Sequence, residues 1–240
     1  MRVYIDIETI PAEETKPVFY EQAKDNYKDP SLTIEQICGD LGIDKGKQSK
    51  AELMDLWRDR FQGEYIEQSA NEAWRKTSFN GGLGRVLMIG VAVDDDEPVV
   101  FYDEDESKVL QSFSEFLNSE VSANYNTRPT FIGHNVIDFD LKFLYHRFVV
   151  NGIKPHWSMP IQPSRYSEVV QDTMYRWAGF GGRVSLDNLA SYLGVGGKGD
   201  IDGSMVFDFY PDGKIGELLK YCAHDVTLTR DVHKRLYFLD

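Results

Sequence analysis

Hydrophobic and polar positions alternate along the first ten residues of the chain, MRVYIDIETI. Apolar side chains fall on one side of this segment, whereas Asp6 and Glu8 fall on the other. Such alternation with β-branched residues predicts a β-strand. Because residues i and i+2 of a strand share a face, we expect the carboxylates of Asp6 and Glu8 to project into one small volume. The alternative is a half-exposed edge strand whose acidic face meets water.

The later segments predict a mixture of strands and helices. Residues 85–93 (RVLMIGVAV) form a nearly continuous apolar run, typical of a central strand buried on both faces. Residues 98–102 return across a polar turn as the second arm of a hairpin, and residues 130–133 form a fourth strand. Apolar residues at helical spacing then predict helices over residues 139–150 and 214–236.

Residues 11–79 differ from the segments around them, because charges of both signs are mixed with apolar residues at helical spacing. We predict a helical insertion between the first and second strands. The stripe that contains Trp57 and Phe61 is typical of core packing. As an alternative, residues 74–76 (WRK) form part of a groove for a single strand, since single strands bind aromatic and basic side chains.

Composition sets limits on the class of protein. A chain of 240 residues with 42% hydrophobic residues is long enough for one α/β domain, residues 1–240, with an insertion. Its net charge of −13 argues against a broad basic face for duplex nucleic acid, but not against a nucleic-acid enzyme whose site holds divalent cations. Cys38 and Cys222 lack metal-type spacing. With no secretory leader or membrane span recognised, we expect a soluble, cytoplasmic protein.

Further acidic positions stand where α/β proteins place their sites. Asp140 lies in the first turn of a predicted helix, just beyond the C-terminal end of a strand. Tyr221 and Asp225 are four residues apart and share one face of the last helix. An aspartate at a helix start is also a common cap, but a buried Asp–Tyr pair on an apolar helix is costly without a use. The acidic run 103–106 precedes a helix, and we assign it to the helix start and to exposure.

The segment 194–199 (GVGGKG) formally matches the dinucleotide-binding pattern G-x-G-x-x-G. It follows a helix instead of a strand and leads into no clear helix, so we reject that interpretation. It also lacks the Ser or Thr that a P-loop needs directly after Gly-Lys. We expect a loop beside a cleft, where Lys198 would meet a phosphate.

Taken in order, these acidic positions resemble the DEDD (DnaQ-like) superfamily of 3′–5′ exonucleases. DIET matches its first motif, NVIDFD (135–140) the second, and YCAHD (221–225) the third, in the tyrosine form Y-x-x-x-D. A sister branch has a histidine five residues before the last aspartate, where this chain has Lys220. QDTM (171–174) and residues 185–203 are similar to stand-alone proteins related to the proofreading exonuclease domain of family-B DNA polymerases.

The resemblance implies a ribonuclease H-like fold. That fold is a mixed five-stranded sheet with the second strand antiparallel to its neighbours and helices on both faces. A fifth strand is then expected near residues 168–171. The resemblance also implies hydrolysis at the 3′ end of single-stranded DNA with release of nucleoside monophosphates.

The same resemblance implies roles for individual residues around two Mg²⁺ or Mn²⁺ ions. Asp6 would bridge the two ions, Glu8 and Asp225 would complete the first site, and Asp140 would act on the second. Tyr221 would orient the attacking water. The candidates for substrate binding are Thr9, Ile10, Asn135 and Lys198, although a core role for Ile10 is an equal alternative.

Three other functions stay open at the level of sequence. One is an exonuclease of the same fold that trims RNA, because the sequence does not show whether the site accepts the 2′-hydroxyl of a ribose. A non-catalytic nucleic-acid-binding or scaffold module would use the insertion to hold a partner, but the intact acidic set argues against it. An endonuclease would cut circular single strands. A replication or repair protein is the kind of partner that the resemblance leaves room for, and we expect no membrane partner.

Overall fold

The computed structural model describes residues 1–124, 127–197 and 203–239. Its strands form one five-stranded sheet: β1 Arg2–Pro11, β2 Gly84–Val93, β3 Val99–Tyr102, β4 Thr130–Gly133 and β5 Val170–Asp172. Their order across the sheet is β3-β2-β1-β4-β5. β2 runs antiparallel to β1 and β3, whereas β4 runs parallel to β1 and β5. The predicted mixed sheet is confirmed, including a fifth strand close to the expected position.

The α-helices lie between and after these strands: α1 Lys16–Asp25, α2 Ile34–Leu41, α3 Lys50–Arg75, α4 Glu106–Ala123, α5 Asp140–Val150, α6 Thr173–Ala178, α7 Leu186–Leu193, α8 Val206–Phe209 and α9 Ile215–Tyr237. Short 3-10 helices occupy Glu13–Thr15, Lys76–Phe79 and Gly203–Met205. Within the described ranges, no helix has the length and apolar character needed to span a membrane.

Helices cover both faces of the sheet. On one face, Ile5 and Ile7 of β1 belong to a core cluster with residues of α4 and α5. On the other face, residues of β1 and β2 pack against α8 and α9, where Leu218 and Cys222 are fully buried. Because side chains alternate along a strand, Asp6 and Glu8 face the side that α9 covers.

The chain divides into two compact units, one formed by residues 1–11 and 77–240 and the other by residues 12–76. The sequence interpretation treats these as one domain with an insertion at about 11–79. In the second unit, helices α2 and α3 each begin with a capping box, at Thr33 and Ser49. Trp57 and Met54 pack against Ile37 in the core of this unit, as expected for the aromatic stripe.

The proposed strand-binding role of residues 74–76 is not supported by the position of Trp74. Its ring is buried, with 3% of the residue exposed. Its indole N–H donates to the carbonyl of Ala12 at 3.1 Å, and Lys16 Nζ lies 4.8 Å from the ring centroid. A ring held in this way by its own unit does not offer a face to a nucleobase.

The acidic run 103–106 contains one residue that the sequence interpretation places wrongly at the surface. Glu106 is buried, with 8% exposed, at the start of α4. Its carboxylate accepts hydrogen bonds from Arg147 at 2.7 and 2.9 Å, from Asn151 at 2.9 Å and from the backbone N–H of Val86 at 2.6 Å. Glu106 therefore links α4, α5 and β2, because its partners lie on the other two elements.

Candidate active site

Strand β1 supplies two of the candidate carboxylates. Asp6 pairs with Gly90 of β2 and Glu8 pairs with Met88, and the register shifts directly after Glu8. Bulges of this kind alter the direction in which a strand presents its side chains. A Cβ atom on Gly90 would lie 2.8 Å from both Cys222 Sγ and Val226 Cγ2. Glycine at position 90 therefore lets α9 approach the sheet beside Asp6.

Helix α9 brings the third motif to this strand. Carboxylate oxygens of Asp6, Glu8 and Asp225 all lie within 4.8 Å of one another. The Tyr221 hydroxyl lies one helical turn before Asp225, and its interaction with that carboxylate opposes the rise in the pKa of Asp225 that burial causes. Within the described part of the chain, this is the one group of three potential metal ligands.

Asp140 lies at the first position of α5 and reaches the same strand. Its Oδ1 accepts a hydrogen bond from the backbone N–H of Ile7 at 3.2 Å, between Asp6 and Glu8. β4 pairs with β1 only over Arg2–Tyr4, so the edge of β1 beyond Tyr4 needs other partners. The Asp140 carboxylate lies outside the group of three, but its charge raises the pKa of Asp6 and of Glu8.

The electrostatics of the site are those of crowded carboxylates. Burial, followed by repulsion from the neighbouring carboxylates, holds the pKa of Asp6 and of Glu8 well above the ordinary value. Burial raises the pKa of Asp140 to about 7 and that of Asp225 to about 6. A cation among these groups would remove the repulsion.

The ligand chemistry fits a hard divalent cation. The group of three offers carboxylate oxygens, which suit Mg²⁺ and Mn²⁺ better than softer metals. Cys222 Sγ lies 4.0 Å from Asp6 Oδ2, but burial raises the pKa of this thiol well above its usual range. The Cys222 sulfur is also outside the group of ligand atoms that lie within 4.8 Å of one another, which leaves the oxygen set.

The segment between β4 and α5 is held by a buried carboxylate that the sequence interpretation does not assign. Asp172, 6% exposed at the end of β5, accepts backbone hydrogen bonds from Asn135 at 3.1 Å, Ile137 at 3.2 Å and Tyr175 at 3.0 Å. Asn135 has a φ of +64°, a conformation that asparagine tolerates better than most residues. Asp172 thereby fixes the turn that leads to Asp140.

His134 supports the same turn from its other side. Its Nε2–H donates to the carbonyl oxygen of Val184 at 2.8 Å, and its Nδ1 lies 2.9 Å from the Thr173 hydroxyl. Because a carbonyl only accepts, Nε2 carries the proton. Burial lowers the pKa of His134, which favours the neutral ring. The turn is thus tied to both α6 and the segment before α7.

The candidate substrate residues have different surroundings. The Thr9 hydroxyl donates to the carbonyl of Ser78 at 2.7 Å, so its proton is already engaged. Ile10 is 3% exposed and packs in the core with Leu218, so the structure shows the core role instead of a base contact. Asn135 lines an open cleft. Lys198 lies outside the described residues.

The sequence analysis assigns no role to Asp172 or to the aromatic side chains that line the cleft next to Asn135. The position of Asp172 at the end of a strand is the signal that could have found it, since sites in open sheets lie at such ends. Exposed aromatic residues in loops leave no comparable periodic signal.

The fold and the acidic group define the chain as an α/β protein with a ribonuclease H-like sheet. Residues 83–239 match the family described as "Predicted 3'-5' exonuclease related to the exonuclease domain of PolB", and the chain belongs to this family. Asp140, Tyr221 and Asp225 lie inside the matched region, whereas β1 precedes it.

Among solved structures, the chain is similar to the family B DNA polymerase from the hyperthermophilic archaeon Pyrobaculum calidifontis. The match has a TM-score of 0.54 and 24% sequence identity, and it covers 64% of this chain and 22% of the polymerase chain. This likeness shows a shared fold over about a fifth of the polymerase's length. A search of curated protein sequences found no match.

Proposed function

We propose that the chain is a two-metal-ion 3′–5′ exonuclease that hydrolyses the terminal phosphodiester bond of single-stranded DNA and releases nucleoside monophosphates. The observation that carries the proposal is the convergence of Asp6, Glu8 and Asp225, whose ligand oxygens lie within 4.8 Å of one another. Glu8 is buried and Asp6 and Asp225 are half-buried, so carboxylates at this spacing repel each other, and a bound cation is the simplest compensation. Membership of the exonuclease family supports the same reaction.

The acidic residues divide into two sets of ligands in this proposal. Asp6, Glu8 and Asp225 would hold one Mg²⁺ or Mn²⁺, and Asp6 and Asp140 would hold the second. When bound, a pair of such ions supplies a nucleophilic water and stabilises the leaving 3′-oxygen. The hydrogen bond from Ile7 N–H to Asp140 fixes that carboxylate relative to β1 before substrate arrives.

Tyr221 acts in this proposal by orienting the attacking water. Burial and the nearby carboxylates raise the pKa of its hydroxyl far above the ordinary value. The phenol therefore keeps its proton at neutral pH and cannot serve as a general base. The hydroxyl is close enough to Asp6, Glu8 and Asp225 for their charges to act on it, so it is available to a water next to the metal ligands.

The decisive experiment follows 5′-labelled single strands of DNA and RNA on a sequencing gel, in Mn²⁺ and in EDTA. A ladder that shortens from the 3′ end, only in the presence of metal, supports the proposal. The relative rates on DNA and RNA give the sugar preference. Cleavage of circular single strands would reveal an endonuclease. Strand binding without metal-dependent release would assign the chain to a non-catalytic module.

A matched pair of variants links that activity to the acidic group. Asp225→Asn removes one ligand, whereas Glu115→Gln removes an exposed charge on α4, which packs on the opposite face of the sheet. Loss of release in the first and normal release in the second are expected.

The cytoplasmic location and a replication or repair partner stay predictions.

A further inference from the structure

Three of the most exposed aromatic side chains lie at or next to one cleft. Four aromatic residues in the described part of the chain are more than 70% exposed: Phe79 at 73%, Tyr166 at 78%, Phe180 at 82% and Phe238 at 90%. Phe238 lies at the end of α9. Phe79 and Phe180 line the cleft next to Asn135, and Tyr166 is joined to Phe180 through Arg165. Exposed aromatic groups that cluster in this way mark a binding surface more often than chance exposure.

Three of the residues near the cleft form what we call the platform: Arg165, Tyr166 and Phe180. The guanidinium carbon of Arg165 lies 4.7 Å from the ring centroid of Phe180 and 4.8 Å from that of Tyr166. Arg165 also donates a hydrogen bond to the Tyr175 hydroxyl at 3.3 Å. A cation between two rings favours this arrangement of the side chains before a ligand binds.

The cleft extends from Phe180 of the platform to the segment that leads to Asp140. It has a volume of about 550 Å³, and its lining includes Phe79, Asn135, Phe139, Tyr175, Phe180 and Arg183. Asn135 and Phe139 belong to the segment that ends at Asp140, the first residue of α5. The cleft therefore runs from Phe139, the residue next to Asp140, to Phe180.

The chemistry of this surface selects one kind of ligand. Aromatic faces stack on nucleobases, and arginine both stacks and contacts phosphate. Among the described residues, neither Arg165 nor Arg183 forms an ion pair with a carboxylate, so both charges are available to an anion. A duplex keeps its base faces covered by its own stacking, whereas an unpaired strand presents them.

We infer that the platform binds the unpaired bases of a single-stranded nucleic acid whose 3′ end occupies the acidic site. The inference rests on the proposed function for the identity of that end, but its evidence is separate, since it comes from exposed rings and free arginines. The net charge of −13 gives the chain no general attraction for phosphate. Selectivity for unpaired ends is therefore assigned to stacking of the bases on the platform.

The test measures binding without turnover. Fluorescence anisotropy of a labelled oligothymidylate in EDTA compares the full chain with the double variant Tyr166→Ala/Phe180→Ala. We expect the affinity of the double variant to fall by about tenfold or more, because each stacked base contributes substantially to binding. Phe180→Trp retains a stacking face and should bind as tightly as wild type, with quenching of the new indole. Phe238→Ala is the matched control for loss of an exposed ring.

Two results would overturn the inference. One is an affinity of the double variant within about twofold of wild type, which would assign the rings to another ligand such as a protein partner. The other is equally tight binding of a blunt duplex and a single strand by the wild-type chain. Failure of the proposed function would instead be seen as absence of nucleotide release. A protein that releases no nucleotide can still bind single strands through the platform in the anisotropy measurement.

Discussion

Two sets of buried or half-buried carboxylates in the same sheet-containing unit have opposite surroundings. Glu106 accepts hydrogen bonds from Arg147, Asn151 and the backbone of Val86, so its charge is balanced within the protein. In the acidic group, Asp6, Glu8, Asp140 and Asp225 form no ion pair with Lys or Arg among the residues that the structure describes. Burial raises the pKa of these carboxylates.

The comparison separates a structural ion pair from a charge arrangement that needs an external partner. A buried pair whose hydrogen bonds are all made contributes to the unique packing of α4 against α5. Uncompensated carboxylates at close range lower stability unless a proton or cation binds. Substitution of Glu106 or Arg147 should therefore lower the stability of the fold. Substitution in the acidic group should instead weaken metal binding and lower activity.

The largest effect is expected for the acidic group. Asp6→Asn and Asp225→Asn should each lower nucleotide release by roughly 10³-fold or more, since metal stabilisation of a transition state is worth several kcal/mol. Both variants should at the same time have a higher melting temperature than wild type in EDTA, because a like charge is removed. A near-normal rate in either variant would refute the assigned role of that residue.

The ion pair should show the reverse behaviour. Glu106→Ala leaves Arg147 buried without its partner and should lower the free energy of unfolding by about 3–5 kcal/mol in urea titrations. The double variant Glu106→Leu/Arg147→Met removes both charges and should recover much of that loss. Glu115→Ala, at an exposed position of α4, should stay within about 0.5 kcal/mol of wild type. Equal losses in Glu106→Ala and Glu115→Ala would contradict the account.

Asp172 tests whether the turn before Asp140 matters to the metal site. Asp172→Ala removes the acceptor of three backbone N–H groups and should cost about 1–3 kcal/mol of stability. If Asp172 positions Asp140, the substitution should also raise the Mn²⁺ concentration that is needed for half-maximal nucleotide release. Asp172→Asn retains one acceptor oxygen and should partly rescue that requirement. A stability loss with an unchanged Mn²⁺ requirement would restrict Asp172 to folding.

Tyr221→Phe should have a smaller effect than loss of a ligand. The hydroxyl orients a water in our proposal, and misplacement of a reactant costs about 10- to 100-fold in turnover. The dissociation constant for Mn²⁺ should not change, since the phenol is not a ligand. Equal turnover in Tyr221→Phe and wild type would limit the ring to packing.

The smallest effect concerns pH in the metal-free protein. Burial raises the folded pKa of Asp225 to about 6 and of Asp140 to about 7, whereas unfolded aspartates titrate near pH 4. The unfolded chain therefore releases these protons first, and the contribution of the acidic group to stability falls as pH rises from about 4 to about 7.

His233 acts in the opposite direction, because burial lowers its pKa to about 4 and its protonation destabilises the fold as pH falls. A comparison of Asp225→Asn with wild type isolates the acidic group. The difference in melting temperature should be small at pH 4 and grow towards pH 7. A constant difference would show that Asp225 is not protonated in the folded chain.

The sequence predicts those parts of the site that follow from local periodicity. Alternation places Asp6 and Glu8 on one face of β1, and the spacing of Tyr221 and Asp225 places both on one face of α9. The partners of Glu106 and Asp172 cannot be found in this way. Arg147 lies 41 residues from Glu106, and Asn135 lies 37 residues before Asp172, so both contacts depend on how the elements pack.

Calorimetric titration of Mn²⁺ tests the central claim most directly, namely that the acidic group is a divalent cation site. The account predicts binding to wild type, with an affinity lowered at least tenfold in Asp6→Asn and Asp225→Asn and unchanged in Glu115→Gln. Equal binding by wild type and both aspartate variants, or no binding by wild type, would contradict it.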